Sequence, residues 1–404
     1  MFLNPILSMV LETVVVVSTL GFTPAQSALR PGALALLSLC VSHCLSTTLE
    51  YFVRTPWALL AGGYSVMLLF HFADVGLLTR WEFPGPSRVN KPTESKRRGS
   101  RGMSDSTWAA RLRYGIWACF NARCIGTPEQ ARNIPQPRYQ DRESFLRGAF
   151  SFMILGYIGL DVLGSMSDPE VGSRFLVASR VPFFRRLSEV TVEEIVIRVF
   201  SAAASGVGLV CSQGGFYNLF AFVSVFMRWG EPQDWPPFCG SVMEAYSLRR
   251  LWSRVWHQSN THKFRAIARF VAEDVLDLSP KTLVHRYAQI LIVFGTSALM
   301  HFLINVSMGL SFSTSGAVQF FCTQAFGLMG EDLAVRVYVG LRGSSRSRLA
   351  LRGERIVGFL WVGCFLAWSL PAYVYPVLYR SNMGLNGSVV PVSIVGLIKR
   401  MMLG

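Results

Sequence analysis

The chain has 404 residues, of which 51% are hydrophobic and only 16% charged, with 29 Phe and 10 Trp. A soluble domain normally carries about 25% charged residues; here the deficit falls in long apolar runs between basic loops, the pattern of a polytopic membrane protein. The net charge of +15 fits loops that face an anionic membrane surface and gives no reason to expect nucleic acid as a partner.

About 20 apolar residues, rising about 1.5 Å each, cross a bilayer. PILSMVLETVVVVSTLGF (5–22), LRPGALALLSLCVSHCL (29–45) and PWALLAGGYSVMLLFHFADVGLL (56–78) are predicted as the first three spans. The first has no basic leader and only a poor cleavage site at Pro24–Ser27, so it is expected to stay as a helix and not to be removed as a signal peptide. His43 and His71 in these spans read as packing or pore-lining groups, and Glu12 and Asp74 as acids with weak functional claims. A polar loop follows from Arg80 to Arg147. Its most basic part, ESKRRGSRG (94–102), is expected to be disordered, whereas WAARLRYGIWACF (108–120) reads as a helix lying on the membrane surface.

LRGAFSFMILGYIGLDVLGSM (146–166) is predicted as a fourth span. Residues 190–228 hold apolar length for two more, divided at SQGG (212–215), although Glu193, Glu194 and Arg198 crowd the first half. LVHRYAQILIVFGTSALMHFLINVSMG (283–309), a stretch near 314–338 and RIVGFLWVGCFLAWSLPAYVYPVLY (355–379) bring the candidates to roughly nine, of which about seven to nine are expected to span. The Arg/Lys-rich loops 80–146, 229–282 and 341–355 are expected in the cytosol and the N-terminus in the lumen. An even number of crossings must then separate the first two loops, yet 146–166 plus two segments give three. One segment of 190–228 is therefore expected not to cross. The C-terminus falls in the lumen, which makes Asn386 in NGS a candidate glycan acceptor. The organisation reads as N-terminal membrane helices (1–79), a basic cytosolic loop with its surface helix (80–145) and a membrane core (146–404).

The eight cysteines (40, 44, 119, 124, 211, 239, 322, 364) are scattered, mostly among apolar residues, with no CxxC pair. They read as small buried hydrophobes, and with no HExxH either, no metal site is expected. No phosphate-cradling GxxxxGK and no internal repeat is present.

Two stretches can carry chemistry. FGTSALMHFLINV (294–306) holds a single imidazole, His301, among apolar side chains. Burying such a group unpaired costs about 1–3 kcal/mol, so it needs a structural partner or a task. Asn305, one turn on, shares its face and either orients the ring or bonds a neighbouring helix. DWPPFCGSVMEAYSLRRLWSRVWHQSNTHKF (234–264) opens on a Pro-Pro turn and continues with Leu248, Leu251, Trp252, Val255 and Trp256 on one helical side. Arg249, Arg250 and Arg254 stand on the other side, followed by His257, Gln258 and Lys263. His262 and His285 read as solvated or interfacial. Glu331 and Asp332, which follow Gln324, either mark a pathway, or pair with Arg336, four residues after Asp332, or lie at the interface.

These motifs resemble the wax synthase-like branch of the membrane-bound O-acyltransferases. SLRRLWSRVWHQ resembles that branch's S-L-R-x-F-W-G-R-x-W-H-Q, DWPPFCG its W-P-P-L-F-G, and GTSALMHFL its S-G-x-x-H. ARCIGTPEQARNIP (122–135) is similar to the R-G-I-G-T-P-x-x-x-x-N-I-P of fungal members. The four occur in the family's order, over roughly residues 110–375. Leu251 replaces the family Phe, Ser253 a Gly, Cys124 the Gly of R-G-I-G, and Ala298 the Gly before the histidine, all changes of packing that touch substrate size more than reaction type.

The resemblance implies an all-α, polytopic bundle with an internal tunnel, acting as an acyl-CoA:alcohol O-acyltransferase in the endoplasmic reticulum membrane. It places His301 as the catalytic histidine and His257 at the second polar position, with Gln258, Trp256 and Asn305 in support. A histidine, with an ordinary pKa of about 6.5, suits removal of a hydroxyl proton near neutrality. Arg249, Arg250, Arg254 and Lys263 would suit the phosphates of coenzyme A. Many fungal members acetylate terpenoid alcohols in secondary metabolism, so acetyl-CoA with a lipophilic terpenoid or meroterpenoid alcohol is the expected substrate pair, and long-chain wax ester synthesis the alternative. A transporter using His301, Asn305, Glu331 and Asp332 would call for internal duplication, and a membrane-embedded terpene cyclase would leave the Trp-His-Gln run without a role.

Overall fold

A computed structural model describes residues 4–84, 108–342, 348–385 and 387–403, so the basic segment 94–102 and Asn386 lie outside the described residues. Three apolar helices come first: α1 (Pro5–Phe22), α2 (Leu29–Tyr51) and α3 (Thr55–Phe72), the last prolonged by a π-helical turn, Ala73–Leu78. Arg30 ties their ends together, donating to the carbonyls of Gly76 (2.9 Å), Trp81 (2.7 Å) and Thr23 (3.0 Å). Helix α4 (Trp108–Phe120), expected on the membrane surface, packs on α1 at bare backbone. A Cβ on Gly115 would stand 2.2 Å from the Val17 carbonyl oxygen, and one on Gly21 2.6 Å from that of Arg111. Its outer face shows Trp108, Ile116, Trp117 and Phe120, the apolar side that such a helix turns to a bilayer.

The two segments expected in 190–228 are one continuous 35-residue helix, α7 (Val192–Phe226), paired with α5 (Arg142–Ser165). SQGG does not break it. Inside a bilayer an interrupted helix would leave backbone groups without water, whereas a helical Gly costs only about 0.5–1 kcal/mol. Gly214 also packs directly on Phe152 of α5. With one helix in place of two, the count of candidate spans between the loops expected in the cytosol becomes even, as that expectation requires. The N-terminal charges are absorbed locally: Glu194 is fully buried and paired with Arg180, Arg186 and Arg198. Apolar side chains along α5 and α7, such as Leu155, Val196 and Phe220, are exposed, as lipid contact requires.

Past the short helix α6 (Pro169–Phe175) and α7, the chain builds α8 (Leu248–Arg250, continued by a π turn to Val255), α9 (Thr261–Arg269) and α10 (Leu283–Val306). It continues through α11 (Phe312–Ser315), α12 (Ala317–Arg342), α13 (Arg348–Ser369), α14 (Pro371–Asn382) and α15 (Ile394–Leu403). The span expected over 355–379 is the pair α13–α14, bent by 58° at Pro371, where proline removes a backbone donor. Among the described residues six helices are long and apolar enough to cross a membrane, or seven with this bent pair. Helix α12 has the length, but Glu331, Asp332 and Arg336 lie in its second half. The protein is an all-helical membrane protein. Its largest core cluster joins Leu248, Leu251 and Val255 to Phe294, Ala298, Phe320 and Phe321, so the predicted amphipathic segment buries its apolar side against α10 and α12.

Candidate active site

His301 sits in α10, a helix made by an apolar run capped by Thr282, whose hydroxyl accepts from the His285 N–H. Its Nδ1 lies 2.8 Å from the Ser297 carbonyl oxygen. A carbonyl only accepts, so Nδ1 carries the proton, and in the neutral ring the Nε2 lone pair is free. Phe321 of α12 lies 4.4 Å from the ring centre and Tyr373 of α14 5.9 Å away, edge-on. Asn305 is not a partner of this ring. It is buried and donates to the Ser315 hydroxyl at 2.9 Å, joining α10 to α11, which selects the inter-helix alternative of the two expected for it.

Helix α8 is short and turns through a π segment before breaking at Trp256, whose extended backbone throws His257 off the helix. His257 stacks on Phe238 (5.3 Å, 17°) and tilts against Trp256 (5.5 Å). Trp256 meets Trp252, Trp252 meets Phe320, and Phe320 meets Phe321, so one continuous aromatic wall runs from His257 to His301. The Nδ1 of His257 is enclosed and without a hydrogen-bond partner. Burial above all, then the nearby His301 and the cations Lys263 and Arg123, push its pKa down to about 3; it is neutral at physiological pH.

The Pro-Pro turn that carries Phe238 is pinned by Arg123, in the R-G-I-G-T-P-like segment. Arg123 is 4% exposed, donates to the carbonyls of Pro236 and Pro237 at 2.8 Å each, and lies over the Tyr217 ring. Cys124, where the fungal pattern has glycine, has φ of 55°, a left-handed conformation that costs a side-chain-bearing residue about 1–2 kcal/mol. That is the reason for a glycine in the pattern. Gln258 is buried and donates to the Ser253 carbonyl, which also accepts from Asn133 at 3.0 Å. These two amides satisfy a carbonyl of the π turn, so Gln258 acts on the site through the backbone.

Gly240 closes the same turn against the α8 extension, its N–H donating to Val255 at 2.9 Å. A Cβ there would meet the Arg254 carbonyl oxygen at 2.0 Å. Gly240→Ala is therefore expected to lower the unfolding temperature by the equivalent of about 1–3 kcal/mol. Gly215→Ala, with nothing within 4 Å of its Cβ, is expected to leave it unchanged or raised; thermal unfolding in detergent reads both.

The expected arginines are engaged within the chain. Arg249 pairs with Asp332 (3.2 Å), and Arg250 and Arg254 both pair with Glu244. Glu331 caps α8, accepting from the Leu248 and Arg249 N–H groups. Asp332 pairs with Arg336, one of the alternatives left open for it, and also with Arg286. Lys263 is fully buried, and its Nζ has no hydrogen-bond partner. His262 and His285, expected to be solvated or interfacial, are mostly enclosed and each bonds a carboxylate. His285 bonds Glu273 at 3.1 Å with its side chain 10% exposed, and His262 lies 2.5 Å from the buried carboxylate of Asp74 with its side chain 17% exposed. In each case a carboxylate of a neighbouring element takes the place of water. The Asp74–His262 contact spans 188 residues, and the one sequence signal for it is an acid inside an apolar run. Among the described residues no cluster of His, Cys, Asp or Glu could hold a metal.

The sequence profile of the membrane bound O-acyl transferase family matches residues 235–323, the stretch that carries His257 and His301. Acetyltransferase ataH of Aspergillus terreus is 34% identical over 294 residues, covering 71% of this chain and 95% of that protein. Acetyltransferase aurG of Calcarisporium arbuscula is 29% identical over 370 residues, 88% of each chain. Acetyltransferase cdmC of Talaromyces verruculosus is 32% identical over 68% of each chain. No solved structure matches. The all-helical membrane architecture, the profile match and these relatives together show that the chain belongs to the membrane bound O-acyl transferase family and is an acyltransferase of the membrane.

Proposed function

We propose that the protein moves an acetyl group from acetyl-CoA to a hydroxyl of a lipophilic acceptor, a terpenoid or meroterpenoid alcohol of secondary metabolism, in the endoplasmic reticulum membrane. The observation that carries this reading is the His301 tautomer: Nδ1–H spent on the Ser297 carbonyl, Nε2 open, aromatic side chains around it. Nε2 takes the acceptor's hydroxyl proton as its oxygen attacks the thioester carbonyl. The neutral His257, with a ring nitrogen unspent, donates to the oxygen on which charge develops. No acyl-enzyme is needed, because a thioester is already activated, and an apolar site protects it from hydrolysis.

The donor enters from the cytosolic face, where the basic loops lie, into a tunnel between the helices, and the alcohol enters from the bilayer. The exposed Arg249 and Arg254 and the partly buried Arg250, on α8 and its π extension, are the cations available to the coenzyme's phosphates once they exchange partners with Glu244 and Asp332. Acetyl is favoured as the acyl group because the relatives are named acetyltransferases. Microsomes given labelled acetyl-, medium- and long-chain acyl-CoA with terpenoid, sterol and fatty alcohols test this. Acetyl transfer to a polycyclic terpenoid alcohol is expected to dominate. Preferred transfer of a long chain to a fatty alcohol would replace this reading with wax ester synthesis.

A further inference from the structure

We infer that the Lys263 ammonium is the acid of the reaction, protonating the coenzyme A sulfur as the donor's carbon–sulfur bond breaks. This rests on the proposal that His301 is the base and adds the second proton transfer. Lysine usually keeps its ammonium in water while burying its stem; Lys263 is 0% exposed and its Nζ has no hydrogen-bond partner. A buried ammonium with no hydrogen bond is costly by several kcal/mol, and the nearby Asp74 carboxylate offsets only part of that cost, since burial still outweighs it. One turn earlier the Oδ1 of Asn260 is likewise buried and unpaired.

Two anchors fix the backbone of Lys263. On one side His262 holds Asp74 of the α3 extension at 2.5 Å. On the other, Phe264 packs with Phe70 of α3 and with Met300, the residue before His301. Lys263 thus stands on α9 at the level of the catalytic turn of α10. His257 is close enough to both His301 and Lys263 for a charge on either to oppose its own protonation.

The chemistry needs such a group. In water a thiolate departs unaided, but in a dry site its charge must be met by a cation or a proton. Full enclosure suits a single sulfur atom better than a hydrated phosphate. Burial brings the Lys263 amine down to about 8, near the thiol range of about 8.5, so the proton is transferable close to neutrality. The balance closes. The hydroxyl proton goes to His301 Nε2, the new carbon–oxygen bond forms, and the carbon–sulfur bond breaks with its electron pair on sulfur. That pair takes the Lys263 proton to give the free thiol. The cycle closes when His301 releases its proton and the Lys263 amine takes one up.

The test varies the leaving group. Lys263→Met is expected to lose about 100-fold or more in kcat with acetyl-CoA but less than about fivefold with p-nitrophenyl thioacetate, whose acidic thiol needs no proton. Lys263→Arg, which keeps the charge but cannot give up a proton, is expected to behave like Lys263→Met, and the rate that both retain with p-nitrophenyl thioacetate shows that loss of fold is not the cause. Equal loss with both donors, or a Lys263→Arg enzyme at the wild-type rate with acetyl-CoA, would overturn the assignment. His301→Ala loses both donors if His301 is the base, so a failure of that reading shows separately.

Discussion

His301→Ala is expected to lower kcat by about 10²–10⁴-fold, the range supplied by a positioned general base, with KM for the acyl donor within about threefold. The hydrogen bonds of its side chain among the described residues are from Nδ1 to the carbonyl and hydroxyl of Ser297, one turn back on the same helix, so its removal costs little binding and should leave insertion intact. His301→Gln sharpens the test. It can keep a donor toward Ser297 but has no basic nitrogen, and it should be as slow as alanine. Initial rates in microsomes, normalised to inserted protein, check both. A glutamine variant at the wild-type rate would make His301 a packing residue.

The second large effect is expected at His257. His257→Phe keeps the ring stacked on Phe238 and beside Trp256 but has no N–H to offer the carbonyl oxygen, and should lower kcat by about 10²–10³-fold, as loss of an oxyanion donor does. The same variant has a pH signature. The folded pKa of His257 is about 3 against an unfolded value of about 6.5. Between these values the unfolded chain binds the proton and the folded chain does not, so stability falls as pH drops through that window and is highest above it. The slope is about 1.4 kcal/mol per pH unit, so lowering the pH from 7 to 5 should destabilise the wild type by about 2 kcal/mol more than His257→Phe. Thermal unfolding in detergent at the two pH values measures the difference. Identical acid sensitivity would mean that His257 is solvated in the folded protein.

The parts of this architecture legible in the sequence are those written in local pattern. Apolar runs of sufficient length marked α1, α2, α3, α5 and α10, and charge parity already required that 190–228 cross once. What parity could not supply was the reason, since SQGG reads as a breaker until Gly214 is seen against Phe152. The two histidines were marked by their motifs, and the aromatic wall between them was present as Trp252, Trp256, Phe320 and Phe321 without an indication that they touch. Long-range pairs left no local trace. Nothing near Arg123 points to the carbonyls of Pro236 and Pro237, more than a hundred residues on, and nothing near His262 points to Asp74. The arginines of α8 looked like free cations because Glu244 and Asp332, which occupy them, lie outside any helical spacing from them.

A structure of the protein with a non-transferable thioether analogue of acetyl-CoA and a bound alcohol tests the central claim most directly. The account predicts the alcohol oxygen within about 3.5 Å of His301 Nε2, a near-attack distance, with the acyl carbonyl oxygen turned toward His257 along the aromatic wall. An acyl group bound away from α10, or a His301 ring whose Nε2 meets only lipid or protein, would contradict it.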